Sequence, residues 1–377
     1  MQLLDEHNVG DYLRATGQIA PTEIVHVSEL SGGVSNAVYY VAREPGAGCD
    51  FVLKQARAQL RTSAAWFCAV ERIWREVAVL RACQRILAAA LPARGAPLLP
   101  SADSVGAPEP HGLHATTPEV LYEDRANYCF AMTAAPAQHH VWKRDLLAGR
   151  LDPHVAAACG QLLGRLHAES WLDGQLAAEL GDRQWFEELR IDPYYRTVAT
   201  VQPDLAPAIQ RLIDSIWQQG GCLVHADFSP KNLLVFDGGL MMVDFETGHF
   251  GDPAFDLGFF LSHLLLKSAA RPQQAEAFFQ LTEQFMLAYR QQVEPILPAG
   301  AWLALEARLV QNFAGCALAR LDGKSRIDYL PDQTSREGVR RWCRFCFAER
   351  PTLWGEVLAF GSAFAQRAKT QTKVKRS

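Results

Sequence analysis

The stretch that decides the fold of this chain is His225-Ala-Asp227-Phe-Ser-Pro-Lys-Asn232, which continues as Leu-Leu-Val-Phe, Asp-Gly-Gly, Leu-Met-Met-Val and Asp244-Phe-Glu246. Proline disrupts the hydrogen-bond ladder of a helix, so Pro230 favours a loop between Asp227 and Asn232. The two short apolar runs that follow are typical of strands, and the Asp-Gly-Gly between them is typical of a tight turn. The sequence therefore predicts a loop followed by a β-hairpin.

The predicted hairpin places Asn232 at the start of one strand and Asp244 at the end of its partner. Antiparallel strands joined by a tight turn bring such ends close together. Magnesium prefers oxygen ligands, and phosphoryl transfer requires little beyond positioning, metal and a base. The window therefore predicts a phosphoryl-transfer site in which Asp227 accepts a hydroxyl proton and Asn232, Asp244 and Glu246 hold Mg²⁺. The alternative, two strands with polar ends, explains each residue singly but not the whole set.

The window and the segment after it share a motif pattern with a known family. His225-x-Asp227-x4-Asn232, Asp244-Phe-Glu246 and Gly251-Asp-Pro-Ala-Phe-Asp256-Leu-Gly258 resemble the aminoglycoside phosphotransferase and choline kinase superfamily. Its members are small-molecule relatives of protein kinases. The resemblance implies an α+β, bilobal protein-kinase-like fold with a small mixed-sheet N-terminal lobe and a larger, mostly helical C-terminal lobe. It also implies transfer of the γ-phosphoryl group of Mg-ATP to a hydroxyl of a small molecule.

The same resemblance implies a role for each residue of the motif. Asp227 is expected to be the catalytic base with Asn232 beside it, and Asp244 to share the metal with Asn232. His225 is expected to brace the catalytic loop, and Asp256 to anchor the loop backbone from below. The Asp-x-Glu of the second motif is similar to that of choline kinases and methylthioribose kinases, which adds Glu246 to the expected metal ligands.

The amino-terminal part of the chain carries the pattern of a nucleotide-binding sheet. Three strands are predicted at residues 24–27, 30–41 and 51–54, and the first turn is rich in glycine. Glycines let a backbone approach phosphates closely, and successive amide groups form an anion-binding concavity. The candidate phosphate cover is therefore Gly32, Gly33, Ser35 and Asn36. Taken alone, this segment is more typical of an ordinary hairpin, and its position before a strand that ends in Lys54 favours the phosphate cover.

Lys54 closes the third predicted strand, where its ammonium group would reach the α and β phosphates of ATP. Its predicted partner is Glu76, on a helix whose apolar residues recur at helical spacing. Glu71 is the rival, and the superfamily pattern of a Glu followed four residues later by Leu favours Glu76. A solvated helix glutamate is the alternative for either residue. Arg72 and Arg75 on the same helix are interpreted as surface groups.

Residues 119–124 and 128–132 are strand-like, and Thr-Ala-Ala-Pro at 133–136 ends that pattern. By position this break resembles the hinge of the superfamily, whose backbone amide and carbonyl groups hold adenine. Met132, Thr133 and Ala134 are therefore candidate nucleotide contacts. A plain exit from a strand into a loop describes the same residues equally well.

The patterns divide the chain into a nucleotide-binding lobe at residues 1–135 and a catalytic and substrate lobe at 136–366. Residues 91–118 are rich in proline and predict an inserted loop with one strand of its own. In the second lobe, helices are predicted at 155–167, 204–218, 254–268, 275–294, 301–321 and 334–365, with His167 as a buried structural histidine. The basic residues 367–377 are typical of a disordered tail.

Composition narrows the class of protein. Apolar residues make up 49% of the chain and charged residues 21%, which is typical of a soluble globular protein. No apolar run reaches membrane-spanning length and the start lacks a signal-peptide pattern, so we expect a cytoplasmic protein without a membrane partner. The net charge of -4 argues against a general nucleic-acid surface. Nine scattered cysteines, Cys343 and Cys346 among them, suit buried thiols better than disulfides or zinc.

The sequence gives less information about which small molecule is phosphorylated. Basic residues are frequent in the carboxy-terminal segment: Arg320, Lys324, Arg340 and Arg341. They are compatible with a neutral or anionic metabolite, and they favour a sugar-like alcohol. The alternatives are an aminoglycoside, bound by acidic residues, or a choline-type or ethanolamine-type substrate in an aromatic cage. Such a cage would draw on Trp142, Tyr194 and Tyr195, and His249 is a further candidate substrate contact.

Two other classes of protein stay open at this point. A protein kinase is disfavoured because only Thr247–Gly251 separates Asp-Phe-Glu from the next motif, which is too short for a usual activation segment. A nucleotide-binding scaffold without turnover is disfavoured because Lys54, Asp227, Asn232 and Asp244 are all present. The oligomeric state is not readable from the sequence.

Overall fold

The first lobe is built on an antiparallel sheet. The computed structural model describes residues 1–30, 35–61, 66–88 and 113–362. The strands of this part are β1 (Val25–Glu29), β2 (Asn36–Arg43), β3 (Phe51–Ala56), β4 (His114–Thr116), β5 (Val120–Asp124) and β6 (Cys129–Thr133). Five of them form one sheet in the order β1-β2-β3-β6-β5, and every pairing is antiparallel. The sheet is therefore not mixed, because the short connections from β1 to β2, β2 to β3 and β5 to β6 reverse the chain.

The two faces of this sheet are covered by different helices. Alternate residues of a strand point to opposite faces. Ala37, Tyr39 and Val41 of β2 pack with helix α1 (Val9–Ala15) in one apolar cluster. Val52 and Ala56 of β3 belong instead to the main core, which includes helix α2 (Arg72–Ala88). The central strand β3 is consequently buried along its whole length, and Lys54 is buried with it.

The second lobe is mostly helical. Its α-helices between Trp142 and Glu349 are α3 (Trp142–Ala148), α4 (Pro153–Glu169), α5 (Gly174–Leu180), α6 (Gln184–Phe186), α7 (Thr197–Val201), α8 (Ala206–Gln218), α9 (Pro253–Ala270), α10 (Ala275–Val293), α11 (Ala301–Asp322) and α12 (Gln333–Glu349). A π-helix, Glu187–Arg196, joins α6 to α7. α9 is buried from Pro253 to Ser268 and packs against α10 and α11, so it forms the centre of the lobe.

α4 and α10 pack very closely because of one glycine. A Cβ atom at Gly160 of α4 would lie 2.2 Å from the backbone carbonyl oxygen of Phe285 in α10. Any larger residue would have to push the two helices apart. The position therefore requires glycine for packing and not for backbone conformation.

Short strands in the second lobe carry the predicted hairpin. They are β7 (His140–Val141), β8 (Cys222–Val224), β9 (Leu233–Phe236), β10 (Gly239–Met242) and β11 (His249–Gly251). β9 and β10 pair antiparallel across a turn in which Gly238 has φ +71°, a conformation that favours glycine. β7 and β4 flank this hairpin, and β4 pairs parallel with β10.

The α+β, two-lobed fold is confirmed, with two corrections: the sheet of the first lobe is antiparallel rather than mixed, and the last predicted helix ends early. The helix predicted at 334–365 is interrupted after Glu349, and residues 354–362 form a separate helix. Arg350 has φ +49° and is followed by Pro351, which has no backbone N–H to continue a helix. The strand predicted within the insertion is β4. Residues 89–112 and 363–377, which include most of the insertion and the basic tail, lie outside the described residues.

The nine cysteines are all described and all unpaired, and every one except Cys49 is buried. Burial raises the pKa of the Cys343 and Cys346 thiols. Within the described ranges, no helix combines the length and the apolar character that crossing a bilayer would require.

Candidate active site

The catalytic loop is held from below by one carboxylate. Asp252 caps α9 by accepting the Ala254 N–H, which sets Asp256 in the first turn of that helix. Asp256 accepts the N–H groups of His225 and Ala226, each at 2.7 Å. Ala226 has φ +58°, which is costly for a residue with a side chain, and these two bonds offset that cost. The expectation that Asp256 anchors the loop backbone is confirmed.

Two buried histidines support this anchor. His225 Nδ1 accepts the N–H of Asp227 at 3.2 Å, so the histidine braces the loop as expected. His167 is fully buried, with Nε2 3.2 Å from Asp256 Oδ2 and Nδ1 2.9 Å from the Tyr289 hydroxyl. Burial by itself would raise the pKa of Asp256, but His167 and the loop amides lower it below its ordinary value. His167 is therefore structural, as predicted.

Asp227 lies between two cations and an amide. Its Oδ1 is 2.7 Å from Arg190 Nη2, its Oδ2 is 2.9 Å from Lys231 Nζ, and Asn232 Nδ2 donates to Oδ2 at 2.8 Å. Burial by itself would raise the pKa of Asp227, but Arg190 and Lys231 outweigh it and lower the pKa. The carboxylate is therefore ionised at neutral pH.

The hairpin brings Asn232 and Asp244 to the same place. Val243 N–H donates to the Asn232 carbonyl at 3.0 Å, which continues the pairing of β9 and β10 up to Asp244. Asp244 has φ +75°, so the chain turns sharply as it leaves the hairpin. Lys231 Nζ lies 3.9 Å from Asp244 Oδ2 and also contacts Asp227. The two carboxylates thus face one small space.

Lys54 reaches this space from the first lobe. Its Nζ is 2.6 Å from Glu76 Oε1 and 2.7 Å from Asp244 Oδ1. Burial by itself would lower the pKa of Lys54, but the two carboxylates raise it. Glu76 is thereby confirmed as the partner of Lys54, while Glu71 accepts from the Tyr128 hydroxyl at the exposed start of α2.

Glu246 joins the two lobes. Its carboxylate accepts from the Ser35 hydroxyl, from Asn36 Nδ2 at 3.1 Å and from Arg72 Nε at 3.2 Å. Arg72 is fully buried, so its interpretation as a surface group is wrong. The reason is tertiary, because α2 directs this arginine at a carboxylate that lies 174 residues further along the chain. Ser35 and Asn36 hence lie at the site, while Gly32 and Gly33 lie outside the described residues.

The predicted hinge lies where β6 leaves the sheet. Met132 pairs with Val52 on one side and Val120 on the other. The Thr133 N–H donates to the Glu119 carbonyl at 2.9 Å, so that amide is committed to the sheet. Ala134 follows directly after β6. The adenine contact of these residues stays a prediction.

Two residues at the centre of the site were missed in the sequence. Lys231 stands in the opening motif between Pro230 and Asn232, where a cation next to the proposed base was a usable signal. Arg190 carried no such signal, because it comes from the π-helix and meets Asp227 only in the folded chain. π-Helical segments are rare and occur often at functional sites.

Several other sequence candidates lie elsewhere or have partners. His249 is buried against Phe186, with ring centroids 4.4 Å apart, and burial lowers its pKa to about 3. Trp142 and Tyr195 are buried in the core and do not form a cage. Lys324 pairs with Asp192, and Arg340 pairs with Asp322.

Comparison with known proteins places this geometry in a family. A model of the phosphotransferase enzyme family (APH) matches residues 26–296. The chain is 23% identical over 289 residues to methylthioribose kinase from Yersinia pseudotuberculosis serotype O:3 (strain YPIII), which covers 70% of this chain and 64% of that relative. It is 24% identical over 313 residues to 4-hydroxytryptamine kinase from Psilocybe cyanescens, covering 75% of this chain and 79% of that relative.

The same comparison with solved structures supports the fold. Ethanolamine kinase from Plasmodium vivax superposes with a TM-score of 0.52 at 11% identity, over 92% of this chain and 90% of that chain. This chain spans 64% of the length of the Yersinia methylthioribose kinase that it matches. Since the family model covers most of the 377 residues and includes every residue of the site described above, the chain belongs to the phosphotransferase enzyme family.

Proposed function

We propose that this protein is an ATP-dependent small-molecule kinase, which transfers the γ-phosphoryl group of Mg-ATP to a hydroxyl group. The observation that carries the proposal is the contact of one lysine with two carboxylates. Lys231 Nζ lies 2.9 Å from Asp227 and 3.9 Å from Asp244. A proton acceptor and a metal ligand are thus side by side, as phosphoryl transfer requires.

The residues beside Asp244 fit a nucleotide-bound Mg²⁺. Asn232 commits its amide nitrogen to Asp227, which leaves its Oδ1 to coordinate, and the Asp244 side chain is 25% exposed. Mg²⁺ is usually bound by one or two protein carboxylates together with substrate phosphates and water. The described part of the chain holds no group of three or more His, Cys, Asp or Glu side chains suited to a metal. When bound, the ion would neutralise charge on the transferred phosphoryl group.

The first lobe supplies the proposed nucleotide contacts. Lys54, oriented by Glu76, is proposed to bind the α and β phosphates. The glycine-rich turn with Gly32, Gly33, Ser35 and Asn36 would cover them, and Glu246 is proposed to add an oxygen to the metal while holding Ser35 and Asn36. Adenine binding at residues 132–134 rests on position alone. The boundary between the two lobes near residue 135 is part of the same proposal.

Asp227 carries the proposed chemical step. The acceptor oxygen bonds to the γ-phosphorus, the bond from that phosphorus to the β,γ-bridging oxygen breaks, and the hydroxyl proton passes to Asp227. ADP and the phosphorylated acceptor are the products. A carboxylate with a lowered pKa is a weak base, which suits a loose transition state in which positioning and charge dominate.

The acceptor that we propose is a sugar-like alcohol. Choline-type acceptors receive less support, because all three aromatic residues of the expected cage, Trp142, Tyr194 and Tyr195, are buried in the core. A scaffold without turnover receives little support, because such a protein would not need Asp227 and Asp244 to share one space. A cytoplasmic location and the absence of nucleic-acid and membrane partners stay predictions.

Asp227→Asn tests this function. Substituting the base should lower turnover by about 10²–10⁴-fold, while binding of the ATP analogue AMP-PNP with Mg²⁺ is retained. The matched control is Asp237→Asn in the exposed turn between β9 and β10, which should leave turnover unchanged. ADP release is measured with a panel of sugars, amino alcohols and aminoglycosides, and binding by calorimetry. Turnover in Asp227→Asn close to that of the unmodified protein would contradict the assignment.

A further inference from the structure

A group of basic side chains, none with a carboxylate partner among the described residues, lies near Asp227 together with one tyrosine. We name it the cationic cluster, and it consists of Lys143 on α3, His263 and Lys267 on α9, Arg320 on α11, and Tyr329 after α11. Lys267 Nζ lies 5.2 Å from the centre of the Tyr329 ring, and Lys143 Nζ lies 5.9 Å from the same centre. Ammonium groups from two helices therefore converge on one aromatic ring.

The cluster is close to the proposed base. Arg320 Nη1 is 3.3 Å from the Tyr194 hydroxyl, and the Arg190 guanidinium lies 5.5 Å from the centre of the Tyr194 ring. Arg190 in turn contacts Asp227 at 2.7 Å. Contacts through Tyr194 and Arg190 thus connect Arg320 with Asp227.

No carboxylate in the described part of the chain forms a close contact that would balance the charge of the lysines and the arginine of the cluster. Lys267 is 1% exposed, and its Nζ donates to the His263 carbonyl at 2.9 Å. Among the described residues, no carboxylate forms an ion pair with Lys143, Lys267 or Arg320, whereas the nearby Lys324 pairs with Asp192. Asp328 is exposed, and its interaction with Lys143 is a longer-range electrostatic attraction without an ion-pair contact. Burial, together with Lys143 and Arg320, lowers the pKa of Lys267 well below its ordinary value.

Polar atoms of the cluster also lack partners. His263 Nε2, Arg320 Nε and Tyr329 Oη are buried and form no hydrogen bond with the described residues. Buried polar groups are nearly always hydrogen-bonded, and a buried charge without a counter-charge is costly. Three such atoms beside two unpaired lysines are the arrangement expected of a site that an anion completes.

We propose that the cationic cluster binds an anionic group of the acceptor. The acceptor is then a small hydroxylated molecule that carries a carboxylate or a phosphate, and its hydroxyl group faces Asp227. This proposal rests on the proposed kinase function and specifies the substrate of the same site. A cationic acceptor is disfavoured by the same geometry, because the ring faces of Tyr194 and Tyr329 are already occupied by Arg190, Lys143 and Lys267.

The first test measures anion binding and does not depend on turnover. Inorganic phosphate and acetate are titrated into the protein saturated with Mg²⁺ and AMP-PNP, at constant ionic strength in chloride, and binding is followed by thermal denaturation. We expect one of the two anions to bind, and Lys267→Met to weaken it by about tenfold or more, since a charge-assisted hydrogen bond is lost. The anion that binds more tightly identifies the group as phosphate or carboxylate.

Two further variants make the outcome specific. Lys143→Met is a second substitution, at a half-buried lysine of the cluster, and it tests the proposal if Lys267→Met does not fold. Lys324→Met is the matched control, because it removes a lysine that already has a carboxylate partner. The proposal is overturned if neither anion binds above chloride, or if binding is the same in the Lys267, Lys143 and Lys324 variants.

The second test uses turnover and separates the two proposals. ADP release is compared for gluconate, glucose 6-phosphate, glucose and glucosamine, four molecules that share hydroxyl groups and differ in charge. We expect an anionic member to be preferred in the unmodified protein and the preference to be lost in Lys267→Met. A preference for glucosamine or glucose would overturn the anionic acceptor and leave the kinase function standing. Anion binding without turnover of any acceptor would count against the kinase function alone.

Discussion

Replacing Arg190 would test the chemistry of the site most directly. The side chain is 6% exposed, its Nη2 lies 2.7 Å from Asp227 Oδ1, and its Nε donates to the Ala226 carbonyl at 2.8 Å. Arg190→Met keeps an apolar stem of similar length between Tyr194 and Phe259. It removes these two polar contacts and the bond from Nη1 to the Leu189 carbonyl at 2.7 Å. The variant therefore leaves Asp227 with Lys231 as its remaining cation.

The expected loss of stability follows from the burial of this pair. Removing one partner of a buried ion pair costs about 3–5 kcal/mol in the free energy of unfolding. We expect the lower end of that range, because Lys231 still contacts Asp227 at 2.9 Å.

The pH dependence of turnover should change as well. Burial by itself would raise the pKa of Asp227, but Arg190 and Lys231 outweigh it and hold the pKa below its ordinary value, so the acid limb of kcat in the unmodified protein lies at low pH. A carboxylate whose pKa is lowered by folding stabilises the folded protein at pH values above its pKa in the unfolded chain. This stabilisation is lost as the pH falls through the lowered pKa. In Arg190→Met only Lys231 still opposes the effect of burial on Asp227. The pKa of Asp227 therefore rises, and the acid limb of kcat moves to higher pH.

A matched variant separates this effect from a general loss of stability. Arg340 makes two bonds to Asp322, at 3.1 and 2.7 Å, in a part of the second lobe away from the catalytic loop. Arg340→Met should lower the free energy of unfolding without moving the pH profile. Urea unfolding and ADP release against pH are measured for both variants. A profile of Arg190→Met that superposes on that of Arg340→Met would refute the role given to Arg190.

Two further predictions concern the lobe contact and the packing of the core. Glu246→Gln should raise the Mg²⁺ concentration for half-maximal activity by about tenfold or more. Asp237→Asn, which changes a carboxylate in the exposed turn between β9 and β10, should leave it unchanged. Equal Mg²⁺ requirements in the two variants would remove Glu246 from the metal. Gly160→Ala should lower the free energy of unfolding by about 1–3 kcal/mol, because its Cβ would meet the Phe285 carbonyl at 2.2 Å. Gly355→Ala, with nothing within 4 Å, should be neutral or stabilising in the same urea titration, and equal losses in the two variants would contradict the packing argument.

Much of the site was accessible from the sequence because its parts are local. Asp227, Asn232 and Asp244 lie on one loop and one hairpin, and a tight turn brings them together whatever the rest of the chain does. The Lys54 and Glu76 pair also followed from an apolar strand that ends in lysine and a helix with one apolar face. The strand, turn and helix patterns behind these predictions depend on apolar periodicity and on turn residues. Both are set by residues that are neighbours in the sequence.

What only the tertiary structure decided is the balance of charge around Asp227 and within the cationic cluster. Arg190 reaches Asp227 from a π-helix, Arg72 turns inward to Glu246, and Lys267 is buried beside Tyr329. Each of these residues looks like a surface or helix residue in the sequence, because a charged side chain shows no periodic signal of its own burial. Burial and distance in space set the electrostatic energy of such groups, and both arise when segments far apart in sequence pack together.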